Sequence, residues 1–186
     1  MAEVERICAF MAALDCRHLI CLGGVGTVAA NYEELGPVLS RIGRVARKFG
    51  IRAAYHNGRT RETIADMKTA LDHADPEVVF AACDTGHATR DFIEFPYPER
   101  AVRFMEREWD RIDFIEFKDW SPSTELNTPV GEGLCDWPAV FERVVTGGYG
   151  GWIVVEQNGH PGLSKGRTPF ECARLSREFI RKGMSV

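Results

Sequence analysis

A chain of 186 residues, 45% of them hydrophobic, is long enough to bury one core. Its net charge is -4, and its 23 Lys and Arg are interspersed with 27 Asp and Glu, which excludes the basic stripe that a phosphate backbone demands. The opening MAEVERICAFMAALDC carries acids early and no stretch approaches the ~18 apolar residues that span a bilayer, so neither nucleic acid nor membrane is expected as a partner and the cytoplasm is the expected compartment.

The elements then alternate. Residues 3–14 have helical spacing and HLICLGG (18–24) reads as a short strand. The next helix, 32–49, is amphipathic through Leu35, Val38, Leu39, Ile42, Val45, Ala46 and Phe49 and is ended by Gly50. IRAAYHN (51–57) follows as a strand, Thr60 or Thr63 caps a helix to about 73, and VVFAACD (78–84) is a third strand. A helix over 98–109 opens near Pro98, and IDFIEFKDW (112–120) is a fourth strand. After a loop at 121–133, Asp136 caps a helix to about 146, GWIVVEQ (151–157) is a fifth strand, and Pro169 opens a closing helix to 182. The six cysteines form no CxxC pair and several sit in apolar runs, as reduced core thiols do.

Repeated β-α units predict a parallel sheet, either open and doubly wound or closed as a barrel. Four strands finish on polar side chains: His56 with Asn57, Asp84 with His87, Glu116 with Lys118 and Asp119, and Glu156 with Asn158. Parallel-barrel strands deliver such ends to one face, whereas an open sheet uses only those beside its switch point, so the barrel is preferred. LGGVGTVAA (22–30) meets the loose dinucleotide pattern, but the next strand ends on His56 and Asn57 without the ribose-binding acid. Asp84-Thr85-Gly86 matches the aspartic-protease triplet, yet it occurs once and in an α/β rhythm, where those enzymes need two acids in an all-β setting.

Taken together, YHNGRTRET (55–63), FAACDTGH (80–87), IEFKDW (115–120), VGEGLCDWPAVF (130–141), GGYGGWIVVEQN (147–158) and TPFECARLSREFIRKG (168–183) resemble, in order and spacing, the xylose isomerase-like TIM barrels and their inosose dehydratase and sugar-epimerase branch. The resemblance implies one divalent metal, manganese first with magnesium or cobalt as alternatives, held by Glu62, Asp84, Glu116 and Glu156. It implies Glu62 and Glu156 as the catalytic acid and base, with His56, His87, Lys118 and Asp119 as substrate contacts. Glu116 stands where the family has a ligand histidine, and four carboxylates around one divalent ion need an offset from Lys118, Arg59, Arg90 or a proton.

A complete barrel takes eight strands and roughly 250 residues. The five strands here match the family's last five, so the expected fold is α/β, a partial (β/α) TIM barrel with helices outside, in one domain over 1–186 without the first three β/α units. Its open edges imply a homo-oligomer or a partner chain that covers them. The expected function is a metal-dependent isomerase, epimerase or dehydratase that takes a proton next to a metal-bound carbonyl of a small sugar, keto-sugar, polyol or inositol derivative. The alternative is a noncatalytic barrel remnant or assembly subunit that needs a partner. The five histidines are too few for the several-metal chemistry of the related repair endonucleases.

Overall fold

Five helices begin on a side-chain oxygen that accepts a hydrogen bond from the backbone of the first turn: Asn31 from Glu33, Thr63 from Asp66, Asp84 from His87, Asp136 from Ala139 and Thr168 from Glu171. Each such cap satisfies a donor that the helix itself leaves orphaned, and this is why short polar residues mark the element boundaries. The structure, a computed structural model, describes residues 1–22, 31–58, 61–160 and 165–184. The glycine-rich stretch at 23–30, Arg59 and Thr60 lie outside the described residues.

In chain order the elements are α1 (Ala2–Ala13), β1 (His18–Leu22), α2 (Tyr32–Arg47), β2 (Arg52–His56), α3 (Ile64–Asp72), β3 (Val79–Asp84), α4 (Thr85–Asp91), α5 (Arg100–Glu108), β4 (Ile112–Phe117), α6 (Trp137–Thr146), β5 (Ile153–Val155) and α7 (Pro169–Gly183). The sheet order is β1-β2-β3-β4-β5, and the β1–β2, β2–β3 and β4–β5 pairings are parallel. Three expectations shift. The fourth strand stops at Phe117 instead of Trp120, the fifth is only Ile153–Val155, and a short helix, α4, starts directly on the last residue of β3. No described helix is long and apolar enough to cross a membrane.

The chain divides into two compact units: Met1–Ala82 with Asp110–Phe114, and Cys83–Trp109 with Ile115–Val186. In the first, Cys8 of α1, Ala46 of α2, Ile51 and Ala53 form a core patch, with Val4, Met11, Leu19, Cys21, Ile42 and Phe49 packed against it. In register, Leu22 lies opposite His56 and His56 opposite Ala82, so β2 brings His56 to its C-terminal end.

The second unit is built on aromatic packing. Phe117 meets Trp137 with ring centroids 5.1 Å apart, Trp137 meets Phe141 at 5.5 Å, and Phe141 meets Phe179 of α7 at 5.8 Å. Such pairs add to the burial energy by preferring tilted and edge contacts. Along β5, by contrast, Val154 and Val155 are exposed.

α7 opens with a full capping box between Thr168 and Glu171. The backbone N–H of Thr168, and then its hydroxyl, hold the Glu171 carboxyl below its ordinary range. A carboxyl lowered by folding stabilises the folded state above the unfolded-state pKa, about 4.3 for Glu, and that contribution is lost as pH falls through the lowered folded value. Glu171→Gln is therefore expected to melt below wild type at pH 7. The gap should close on acidification below about pH 4, and thermal melts at both pH values check it.

Candidate metal centre

In the second unit the end of β3 delivers Asp84, which is fully buried, and β4 delivers Glu116, 9% exposed. One oxygen of each lies within 4.8 Å of the other. Glu156 follows β5 directly, and its N–H donates to the carbonyl of Phe117 at 3.2 Å, which draws it alongside the end of β4. Its carboxyl is pushed above the ordinary range, first by a hydrogen bond with Glu116 and then by burial, while Lys118 pulls the other way. Behind them the buried Cys83 thiol is also pushed up, by burial first and then by the charges of Asp84 and Glu116.

Lys118 is the counter-charge. It is 2% exposed, with Nζ 2.5 Å from Glu156 Oε1 and 3.9 Å from Asp84 Oδ2. Its backbone is pinned by Thr85, whose hydroxyl donates to the Lys118 carbonyl at 2.7 Å and accepts the Lys118 N–H at 3.0 Å. Gly86 leaves room for the lysine stem, because a Cβ there would stand 2.8 Å from Lys118 Cγ. Asp-Thr-Gly is thus a construction unit: the acid caps α4, the hydroxyl ties down Lys118, and the glycine lets it pass.

His87, in the first turn of α4, is 16% exposed and its Nε2 lies 3.7 Å from Asp84 Oδ2. Its Nδ1 is 3.0 Å from Arg90 Nη2, and the same Arg90 nitrogen donates to Asp91 at 2.6 Å. Asp119 plays a different part from its neighbours. It is fully buried, its Oδ1 accepts from the N–H of Trp120 and Cys135, and its Oδ2 accepts from Gly131, Gly133 and the Trp137 indole. Burial raises its carboxyl while these donors pull down. The bonds anchor the loop leading into α6.

The first unit presents its own ligand-type residues. His56 and Asn57 are buried at the end of β2, and Glu62, 1% exposed, accepts a 2.5 Å hydrogen bond from the hydroxyl of the buried Tyr55. Glu62 stands one residue ahead of the Thr63 cap of α3, outside the helix.

Two buried carboxylates and a half-exposed third, gathered at a single ammonium, suit a hard divalent cation, which favours oxygen donors and relieves their mutual repulsion. A sequence profile of the family described as xylose isomerase-like TIM barrel matches residues 1–183. The chain belongs to that family. The α/β, partial TIM-barrel class read from the β-α rhythm is therefore correct, and inosose dehydratases are among the chain's relatives. The inosose dehydratase of Lacticaseibacillus casei is 27% identical over 175 residues, covering 84% of this chain and 56% of the relative. Inosose dehydratase 2 of Bacillus cereus (strain ZK / E33L) is 29% identical over 165 residues, covering 82% and 54%. The chain spans about half the length of these curated relatives. Among solved structures, L-ribulose 3-epimerase matches 99% of this chain and 66% of its own, with a TM-score of 0.75 at 18% identity. The IolI protein with a binding zinc atom matches 99% and 68%, with a TM-score of 0.74 at 15% identity. At these identities the structural likeness speaks for the fold alone.

Sequence reasoning did not single out Thr85, Gly86, Tyr55 or Gly133 as supports of the site. Only Thr85 and Gly86 carried a signal, as members of a triplet read for a different chemistry. Tyr55 reaches Glu62 across seven positions and Gly133 wraps Asp119 across fourteen, separations at which one sequence has no pattern to offer.

Proposed function

We propose that the chain is a metal-dependent isomerase, epimerase or dehydratase acting on a small sugar, keto-sugar, polyol or inositol derivative, by removal of a proton from a carbon next to a carbonyl. The observation that carries the reading is the buried pair Asp84 and Glu116, with oxygens within 4.8 Å of one another, beside the buried Lys118 whose ammonium stands 2.5 Å from Glu156. Acids are gathered this way, out of water, at sites that use them. Inosose dehydratases among the relatives support the same class.

Asp84, Glu116, Glu156 and Glu62 are the residues to hold the cation, manganese before magnesium or cobalt. Bound there, it would polarise a substrate carbonyl and acidify the neighbouring carbon. Glu156, half-exposed and with a raised pKa, is suited to take that proton, since a base works best when its pKa approaches the ambient pH. Glu62, oriented by Tyr55, returns a proton or gives it to a departing hydroxyl. His56, His87 and Lys118 are the groups to bond substrate oxygens, and Asp119 positions the loop behind Lys118. A second copy or a partner chain covering the exposed Val154 and Val155 belongs to the same proposal.

The test is solvent exchange. Protein loaded with Mn2+ is incubated in D2O with a panel of ketohexoses, ketopentoses and inososes, and deuterium incorporation is read by mass spectrometry. Metal-dependent incorporation of one deuterium into at least one compound is expected. Protein that binds metal yet exchanges no proton across the panel overturns the catalytic reading in favour of the noncatalytic one.

A further inference from the structure

Lysine is almost never fully buried unless it is paired, and Lys118 is 2% exposed. Its position is over-determined. Thr85 fixes the backbone on both sides, Gly86 opens the path of the stem, and Nζ ends 2.5 Å from Glu156 Oε1 and 3.9 Å from Asp84 Oδ2. The ammonium therefore stands on two of the carboxylates to which the previous reading assigns a cation. Asp84 and Glu156 both reach this one ammonium, and Glu116 has an oxygen within 4.8 Å of one of Asp84, so acids outnumber cations in the cluster and it attracts a second cation. That cation and the ammonium seek the same oxygens. A positive charge held within a few ångströms of a metal opposes its binding, and the more so the lower the local dielectric.

We infer that Lys118 is a built-in competitor for the divalent cation: its ammonium organises Asp84 and Glu156 while no metal is bound, and a divalent ion binds only by taking Glu156 from it. This rests on the metal reading above. It assigns Lys118 a role beyond touching substrate, that of setting the cation affinity and holding the carboxylates together before the cation arrives. A lysine that was merely a structural counter-ion would leave the affinity where it is when replaced.

The experiment is calorimetric titration of Mn2+ and Mg2+ into metal-stripped wild type, Lys118→Met and Lys118→Arg, with thermal melts of each with and without metal. Methionine keeps the unbranched apolar stem. Lys118→Met is expected to bind Mn2+ at least about tenfold more tightly than wild type, because a unit charge beside the site is gone. It should melt lower than wild type without metal and gain more from added Mn2+. Lys118→Arg, which keeps the charge, should stay near the wild-type affinity. Unchanged or weaker binding by Lys118→Met, with wild type binding normally, overturns this inference and leaves the metal reading standing; no binding by any of the three overturns both. Should Lys118→Met not fold, wild type answers alone. Mg2+ is expected to raise acetylation of Lys118 by an amine-reactive ester, read by peptide mass spectrometry, and labelling indifferent to Mg2+ overturns the competition.

Discussion

Asp84→Asn is expected to bind Mn2+ at least about 100-fold more weakly than wild type while folding normally. Outer partners of metal ligands typically cost 10–100-fold when removed, and a direct ligand costs more. The substitution is chosen because Asp84 has two separable jobs. One oxygen accepts the His87 N–H at 2.9 Å and so caps α4. The other faces Lys118 and His87 at 3.9 and 3.7 Å. Asparagine caps a helix about as well as aspartate, whereas alanine would cost about 1 kcal/mol there and confuse stability with affinity. What asparagine removes is the negative charge. Calorimetric titration reads the affinity and a thermal melt of the metal-free protein reads the fold. Wild-type affinity in Asp84→Asn would remove Asp84 from the ligand set and, with it, the strongest reason to place a cation in the second unit.

How far the sequence speaks for itself differs between elements and site. Helices α2, α6 and α7 are legible because apolar spacing and a capping residue agree: Asn31, Asp136 and Thr168 begin them, and Pro169 sits where a missing N–H does no harm. Helix α4 is illegible for the opposite reason. Its residues, THATRD apart from Gly86, are polar or small, so no hydrophobic period announces it, and it starts with no intervening loop on the residue that ends β3. In IDFIEFKDW the alternation rule fails because Ile115, Glu116, Phe117, Lys118 and Asp119 are all buried. A strand end covered on both faces has no solvent side, so period two carries no information about where Glu116 points.

The site residues split along the same line. Asp84, Glu116, Lys118 and Glu156 could be singled out because each puts a charge at the end of an apolar run, where an uncompensated charge is expensive. Their grouping in the second unit follows from parallel strands that all end in the same sense. What could not be read is the division of labour. Lys118 and Asp119 are adjacent in sequence, yet one faces Glu156 and the other is turned wholly into a loop. Thr85 holds the Lys118 backbone while the loop N–H groups close on Asp119, and this separates them.

That difference leads to the second strong expectation: Asp119→Ala should destabilise the protein by about 3–5 kcal/mol, the sum of a few hydrogen-bond donors left without their acceptor. Five donors converge on the carboxylate, from Trp120, Gly131, Gly133, Cys135 and the Trp137 indole. Alanine leaves all five without that acceptor, and for the buried Cys135 N–H and Trp137 indole each loss costs about 1–3 kcal/mol before relaxation. Nor is asparagine a rescue. Both carboxylate oxygens accept, so the amide NH2 must face donors whichever way it is placed. The cost has no outlet through the loop, because Gly133 already lies so close to Asp119 that a Cβ there would come within 2.1 Å of its oxygen. Trp137 ties this anchor to the aromatic packing with Phe117 and Phe141, so its loss is expected to show in the environment of the indole as well as in the melting temperature. Denaturant unfolding followed by tryptophan fluorescence measures both. Asp119→Asn should sit much closer to Asp119→Ala than to wild type; if asparagine is instead neutral, the loop is held by its own backbone geometry, and Asp119 is released for the substrate contact that its place beside Lys118 first implied.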